Sequence, residues 1–203
     1  MKTRIRSINL AAAGCGILLA ARESAVFAPT FTGTMRTAVV DGPEDGINLD
    51  FYYQFTNTSS SRDAVARITT ADFSGFLAEA FQSPGAVDTL FPAGSVAADT
   101  VDRSASGAVI GFNFLPGGTN TLDNGTTSYT LVLRTNAEVF TDGTIGVIDG
   151  SGTTTLGFAP AIPEPETYAL MAAGLGLLGF LRRRQSKAAP AADQTAPNGM
   201  AAA

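Results

Sequence analysis

The chain has 203 residues, of which 22 are glycine and 45% are hydrophobic, and its net charge is −5. It has no histidine and a single cysteine, Cys15, so Ser-His-Asp and Cys-His catalysis and His/Cys zinc sites are excluded from the region after residue 28. Residues 29–160 contain five arginines, no lysine and fourteen acidic residues, a net charge of −9, which repels phosphate backbones and predicts no nucleic-acid partner.

The first 28 residues predict a secretory signal peptide. Three basic residues precede an apolar run over residues 8–21, which is shorter than a membrane-spanning helix requires. We place the cleavage after Ala28, the last residue of a Val-Phe-Ala triplet. Because Arg22 and Glu23 interrupt the approach to this site and Pro29 follows the cut, an uncleaved leader is the alternative.

Residues 29–160 are predicted to form one all-β domain, an antiparallel β-sandwich. Apolar and polar residues alternate through most of this region, as they do in half-buried strands, and turns rich in glycine, asparagine and aspartate separate the runs. A domain of 132 residues buries enough surface to be stable without a disulfide or a metal. The predicted strands are residues 33–40, 48–57, 64–70, 107–115, 127–136, 143–148 and 153–158.

Four acidic residues cluster around two glycines before and within the second predicted strand. Oxygen-rich turns of this kind bind hard cations such as calcium, although the spacing is not that of an EF-hand. Turn formation and solubility explain the same residues without a metal. No other cofactor is predicted. The candidate calcium ligands are Asp41, Glu44, Asp45 and Asp50.

One segment departs from the alternating pattern. Between residues 73 and 81 the apolar residues Phe73, Phe76, Leu77 and Phe81 recur at the spacing of one helical face. The spacing predicts a short helix that packs on the edge of the sandwich, although Gly75 weakens it.

Carboxylate chemistry is the catalytic chemistry that this residue inventory leaves. Asp41, Asp50, Asp99 and Asp102 are available for a glycosidase pair. No spacing singles out two of them, and the chain has no tryptophan on which a sugar would stack. We therefore predict that the domain is not an enzyme, and we rank a glycan-active enzyme below a carbohydrate-binding module.

The C-terminal segment, residues 161–184, contains three parts in a fixed order. A Pro-Glu-Pro triplet comes first, and its prolines keep the backbone extended and accessible to a processing enzyme. An apolar stretch over residues 168–181 follows and predicts a separate transmembrane helix; at about 21 Å it is shorter than the ~30 Å hydrocarbon core, so the anchor is marginal. An arginine triplet then stops transfer. The sorting-recognition residues are Pro163, Glu164 and Pro165, and the stop-transfer residues are Arg182, Arg183 and Arg184.

In the order of these parts the segment resembles the PEP-CTERM family of exported proteins, over about 24 of the 203 residues. The resemblance implies that an exosortase, a membrane-embedded processing enzyme, recognises the Pro-Glu-Pro triplet, and that processing removes the helix and the arginines. It also implies a Gram-negative bacterium that makes exopolysaccharide and biofilm matrix. The same motif is known as an ice-binding protein C-terminus, but the chain lacks the regular threonine array that ice binding needs.

These features together predict an exported protein that is anchored transiently in the inner membrane and then delivered to the cell surface or the extracellular matrix. A structural or adhesive role in an exopolysaccharide setting is the first hypothesis. The alternative is a carbohydrate-binding module, whose threonine-, serine- and asparagine-rich loops would contact polysaccharide. Residues 185–203, rich in alanine and proline, are predicted to be a disordered tail.

Overall fold

A computed structural model describes residues 2–3, 5–7, 16–42, 48–87, 89–114, 120–161 and 170–178 of the chain. The chain divides into two compact units, Met1–Ile162 and Pro163–Ala203. All the described strands lie in the first unit. In chain order they are β1 (Lys2–Thr3), β2 (Arg6–Ser7), β3 (Leu18–Phe27), β4 (Thr32–Asp41), β5 (Leu49–Asn57), β6 (Arg67–Thr70), β7 (Ala78–Ser83), β8 (Thr100–Arg103), β9 (Ile110–Asn113), β10 (Thr130–Thr135), β11 (Phe140–Asp149) and β12 (Ser151–Pro160).

The strands form two six-stranded sheets. Sheet 1 has the order β1-β8-β9-β6-β11-β12, and sheet 2 has the order β2-β7-β10-β5-β4-β3. Neighbouring strands are antiparallel throughout, apart from the parallel pairing of β2 with β7. The prediction of an all-β class with antiparallel sheets is therefore confirmed.

One hydrophobic core lies between the inner faces of the two sheets. Sheet 2 contributes Phe51, Tyr53 and Phe55 from β5, and sheet 1 contributes Phe112 from β9 and Val147 from β11, all of them fully buried. Phe51 and Tyr53 share one face of β5, as the alternation of the sequence predicts. Burial of these large aromatic and branched side chains makes the main contribution to the free energy that holds the two sheets together.

The outer face of sheet 2 is also buried, which the alternation did not predict. The connection between β7 and β8 folds over this face and places Phe91 edge-on against Tyr52, with ring centroids 6.0 Å apart. The amide of Gln54 donates to the Pro92 carbonyl at 2.8 Å, so the connection is held by a polar contact as well. Each residue of β5 except Thr56 is therefore buried, including those with polar side chains.

The predicted helix over residues 73–81 is wrong. Gly75 has a positive φ of 84°, which ends any helix there, and the guanidinium of Arg103 binds the carbonyls of Phe73 and Phe76 at 2.7 and 2.8 Å. From Ala78 the chain is extended as β7 and pairs with β10 over six residues. The backbone groups along this edge of β10 need hydrogen-bonded partners. Pairing with β10 therefore decides the conformation of residues 78–83, although their apolar spacing weakly favours a helix.

β3 and β8 lie where no strand was predicted. β3 occupies the second half of the predicted leader and pairs with β4 from Leu18 to Phe27. β8 is a four-residue strand between β1 and β9. The prediction of a signal peptide over residues 1–28 stays a prediction, because the structure contains the leader and the domain together.

Candidate functional site

The polypeptide enters its C-terminal segment from β12, whose C-terminal end is held by two hydrogen bonds. Near the end of β12 the Phe158 carbonyl accepts a hydrogen bond from the Tyr53 hydroxyl at 2.8 Å. The Ala161 amide then donates to the Val139 carbonyl, also at 2.8 Å. The chain is therefore bound to the sandwich up to the first residue of the predicted sorting segment.

Tyr53 is completely buried at this position. Burial disfavours the charged phenolate and raises the pKa of the Tyr53 hydroxyl well above its ordinary value. The hydroxyl therefore remains protonated, and remains a donor to the Phe158 carbonyl, through the neutral and mildly alkaline range.

Most of the predicted sorting residues lie outside the part of the chain that the structure describes. A helix over residues 170–178 occupies the middle of the apolar stretch that was predicted as a helix over residues 168–181. Its side chains are exposed along its whole length. Among the described residues, no helix combines the length and the apolar character needed to cross a membrane. The predicted site residues outside the described ranges are Pro163, Glu164, Pro165, Arg182, Arg183, Arg184, Glu44 and Asp45.

The two candidate calcium ligands that the structure describes, Asp41 and Asp50, are not brought together. The β4–β5 register pairs Asp41 with Leu49 and Asp50 with Val40. Because successive residues of a strand point to opposite faces, Asp41 shares the face of the core residue Leu49, whereas Asp50 shares the outer face with Val40. The described ranges also contain no group of three or more metal-binding side chains. Calcium binding therefore stays a prediction.

The carboxylate of Asp50 forms an ion pair on the outer face of sheet 2. Its side chain is 1% exposed, and the Arg134 guanidinium contacts both carboxylate oxygens at 3.2–3.3 Å. The same guanidinium lies 5.8 Å from the centroid of the Phe81 ring. A buried carboxylate needs such a partner, because an unpaired charge in this position is costly.

A second ion pair lies on the outer face of sheet 1. Arg67 Nη2 binds Asp102 Oδ1 at 2.7 Å and Nη1 binds Asn113 Oδ1 at 2.6 Å, while the Asn113 amide binds Asp102 Oδ2 at 2.8 Å. The guanidinium lies over Gly111, where any Cβ atom would collide with it. The side chains of Arg67, Asp102 and Asn113 form one closed network that joins β6, β8 and β9.

The four acids considered for catalysis are distributed over separate structural contacts. Asp50 and Asp102 have arginine partners, and Asp99 accepts a hydrogen bond from the Asn120 amide at 3.0 Å. Asp41 lies at the end of β4. The described contacts therefore bring no two of these acids together as a pair.

Sequence reasoning missed the arginines as structural residues and counted them only as charge. Arg134 lies 84 residues from Asp50, and Arg67 lies 35 residues from Asp102. Arg22, in the predicted leader, binds Asp142 at a separation of 120 residues. No local pattern marks pairs at such separations, because only the sheet topology makes them neighbours.

A comparison with protein-family models matches the description "PEP-CTERM protein-sorting motif" at residues 161–185. The matched range begins at Ala161, where the described sandwich ends, and contains the predicted sorting-recognition and stop-transfer residues. Comparisons with curated proteins and with solved structures give no match. The chain therefore contains a PEP-CTERM sorting motif, which indicates an exported protein sorted by an exosortase.

Proposed function

We propose that the exported domain is a structural or adhesive component of the cell surface or extracellular matrix of a Gram-negative bacterium, in an exopolysaccharide setting. The observation that carries this proposal is the sorting motif at residues 161–185, which directs the domain to a processing enzyme at the membrane. The acidic domain that precedes the motif is suited to a hydrated matrix, since its negative net charge favours solubility and opposes self-association.

A non-catalytic role agrees with how the described charged groups are used. Asp50, Asp102 and Asp142 each bind an arginine, and Arg103 binds main-chain carbonyls. The sequence contains no histidine, and its only cysteine is Cys15. The chain therefore lacks the imidazole that commonly acts as a general base, and these three described carboxylates take part in ion pairs that hold the fold.

The C-terminal helix supports a transient stay in the inner membrane. Over residues 170–178 it carries only apolar side chains and glycines, exposed on every side. A helix that is apolar all round suits a lipid environment rather than the surface of a soluble domain. Removal by the exosortase would then release the domain from the membrane.

Replacement of the motif tests the sorting step. Alanine at Pro163, Glu164 and Pro165 in the full chain should leave the exported protein unprocessed, with the mass of the helix and tail retained. The matched control replaces two prolines outside the motif, Pro190 and Pro197, and should be processed normally. Identical mature masses for both variants and the wild-type chain would refute recognition of the triplet.

Location and binding test the matrix role. In a host that makes exopolysaccharide, the mature protein should remain with the matrix fraction, and it should appear in the medium when polysaccharide synthesis is deleted. Equal release from both hosts would contradict the proposal. Saturable binding to purified exopolysaccharide would favour the carbohydrate-binding alternative, and release of reducing ends from it would favour an enzyme.

A further inference from the structure

The strand β3, Leu18–Phe27, is built into the sandwich although it lies inside the predicted leader. It is an edge strand of sheet 2 and pairs with β4 in register from Ala20 opposite Val39 to Phe27 opposite Thr32. One further hydrogen bond, from the Asp41 amide to the Ile17 carbonyl at 2.8 Å, extends the pairing toward the N-terminus. The pairing satisfies the backbone groups along one whole edge of β4.

The side chains of β3 alternate between the core and the solvent. Val26 is 2% exposed and belongs to the hydrophobic core, and Ala20 and Ala28 pack against the same core. The residues at alternate positions, 21, 23, 25 and 27, are exposed, and Phe27 is 72% exposed. A period of two is the pattern of a half-buried strand, whereas the apolar region of a leader has no such requirement.

Arg22 connects β3 to the opposite sheet. Its Nη2 atom binds Asp142 Oδ1 at 2.8 Å, its Nη1 atom donates to the Gly157 carbonyl at 3.3 Å, and its guanidinium lies 4.9 Å from the Phe158 ring centroid. β3 is the last strand of sheet 2 and β12 the last strand of sheet 1. One side chain therefore joins the two edge strands that lie on the same side of the sandwich.

The neighbouring acid also has a partner in the domain. Glu23 Oε2 lies 2.9 Å from Arg36 Nε on β4, in the register that places these two residues opposite each other. An arginine and a glutamate interrupt a leader, but both are suited to a solvated strand with charged partners. Two of the residues that weaken the predicted cleavage site, Arg22 and Glu23, therefore form ion pairs with the domain.

We propose that β3 is retained in the mature exported protein, so that any removal of the leader occurs N-terminal to Leu18 and not after Ala28. Cleavage after Ala28 would expose the full edge of β4, remove Val26 from the core and break the ion pairs of Asp142 with Arg22 and of Arg36 with Glu23. The proposal concerns the N-terminus alone, and it stands whether or not the domain has a matrix role.

The N-terminal residue of the exported protein tests this directly. The full-length gene is expressed in an exporting host, and the processed protein is analysed by intact mass and by sequencing of its N-terminal peptide. We expect a first residue at or before Leu18. A first residue anywhere from Leu19 to Pro29 would overturn the proposal.

A variant of Arg22 supplies a second, independent test on the purified exported protein. Arg22→Ala in the full chain should lower the melting temperature of that protein by several degrees, and Arg22→Lys should lower it less. The control is Arg62→Ala, since Arg62 is exposed and should leave the melting temperature unchanged. An Arg22→Ala protein with the wild-type melting temperature would contradict retention of β3.

A double variant of Arg22 and Asp142 distinguishes the loss of their direct contact from a change in net charge. With β3 present, the effects of Arg22→Ala and Asp142→Ala on the melting temperature should be clearly less than additive in the double variant. If β3 is removed during export, Asp142→Ala should act alone and Arg22→Ala should add nothing, which would refute the proposal.

Discussion

The hydroxyl of Tyr53 donates a hydrogen bond to the main-chain carbonyl of Phe158 at 2.8 Å through the buried core. Tyr53 lies on β5 of sheet 2 and Phe158 on β12 of sheet 1, so the bond joins the two sheets. Phe158 lies three residues before the matched sorting motif begins at Ala161. The bond therefore fixes the strand that leads directly into the processing segment.

Removal of the Tyr53 hydroxyl should destabilise the domain without affecting its processing. Tyr53→Phe leaves the buried Phe158 carbonyl without its donor, which costs about 1–3 kcal/mol. Urea denaturation of the exported protein measures this loss. Tyr129→Phe is the matched control, because Tyr129 is only half-buried and should change the free energy of unfolding by less than about 0.5 kcal/mol. Equal values for the two variants would contradict the role assigned to Tyr53.

The raised pKa of Tyr53 predicts a loss of stability at alkaline pH. The protonated hydroxyl is favoured in the folded state, so its contribution is fully present below the ordinary tyrosine pKa of about 10 and decreases as the pH rises from there toward the higher folded-state pKa. Unfolding free energies measured from pH 8 to 11 should fall more steeply for the wild-type chain than for Tyr53→Phe. Parallel curves would show that Tyr53 does not cause the decrease.

A methyl group at Gly111 should disrupt the Arg67 network. Gly111→Ala places a Cβ atom against the guanidinium of Arg67, which is held by Asp102 and Asn113 and has little freedom to move. We expect a loss of about 1–3 kcal/mol in the free energy of unfolding. Gly85→Ala is the control, because nothing lies within 4 Å of the added atom. A neutral Gly111→Ala would mean that the guanidinium is not fixed there.

The Asp50 carboxylate should act through Arg134 and not through calcium. Asp50→Asn weakens the ion pair and should cost about 1–3 kcal/mol, since Asp50 is buried while Arg134 is 35% exposed. The loss should be equal in calcium and in chelator when thermal unfolding is followed. Asp63→Asn, an exposed acid, is the control. A loss that disappears in chelator would instead identify Asp50 as a calcium ligand.

Several strands were predictable because their signal is local. In β4, β5, β10 and β12 the alternation of the residues matches the observed strands to within three residues at each end, since one face of each packs on the core. β7 was mistaken for a helix because Phe73, Phe76 and Phe81 fit a helical spacing by chance. Its strand conformation depends on pairing with β10, about fifty residues away in the chain.

The candidate sites divide in the same way. The sorting motif is one short continuous segment, so a family model matches it from the local order of its residues. The contacts of Asp50 with Arg134 and of Arg22 with Asp142 join residues 84 and 120 positions apart. No local spacing pattern predicts contacts over such separations. Asp41, Glu44, Asp45 and Asp50 were therefore grouped as candidate calcium ligands because they lie close together in the sequence.

The sequence by itself determined the sorting motif, the all-β class and the lack of histidine, because motifs, alternation and residue inventory are all local or compositional. Only the tertiary structure decided which charges are paired, that the outer face of sheet 2 is covered, and that residues 18–27 form a strand bound to the domain. The physical reason is that these features come from partners brought together by sheet order, and the free energy of each contact depends on a neighbour distant in the chain.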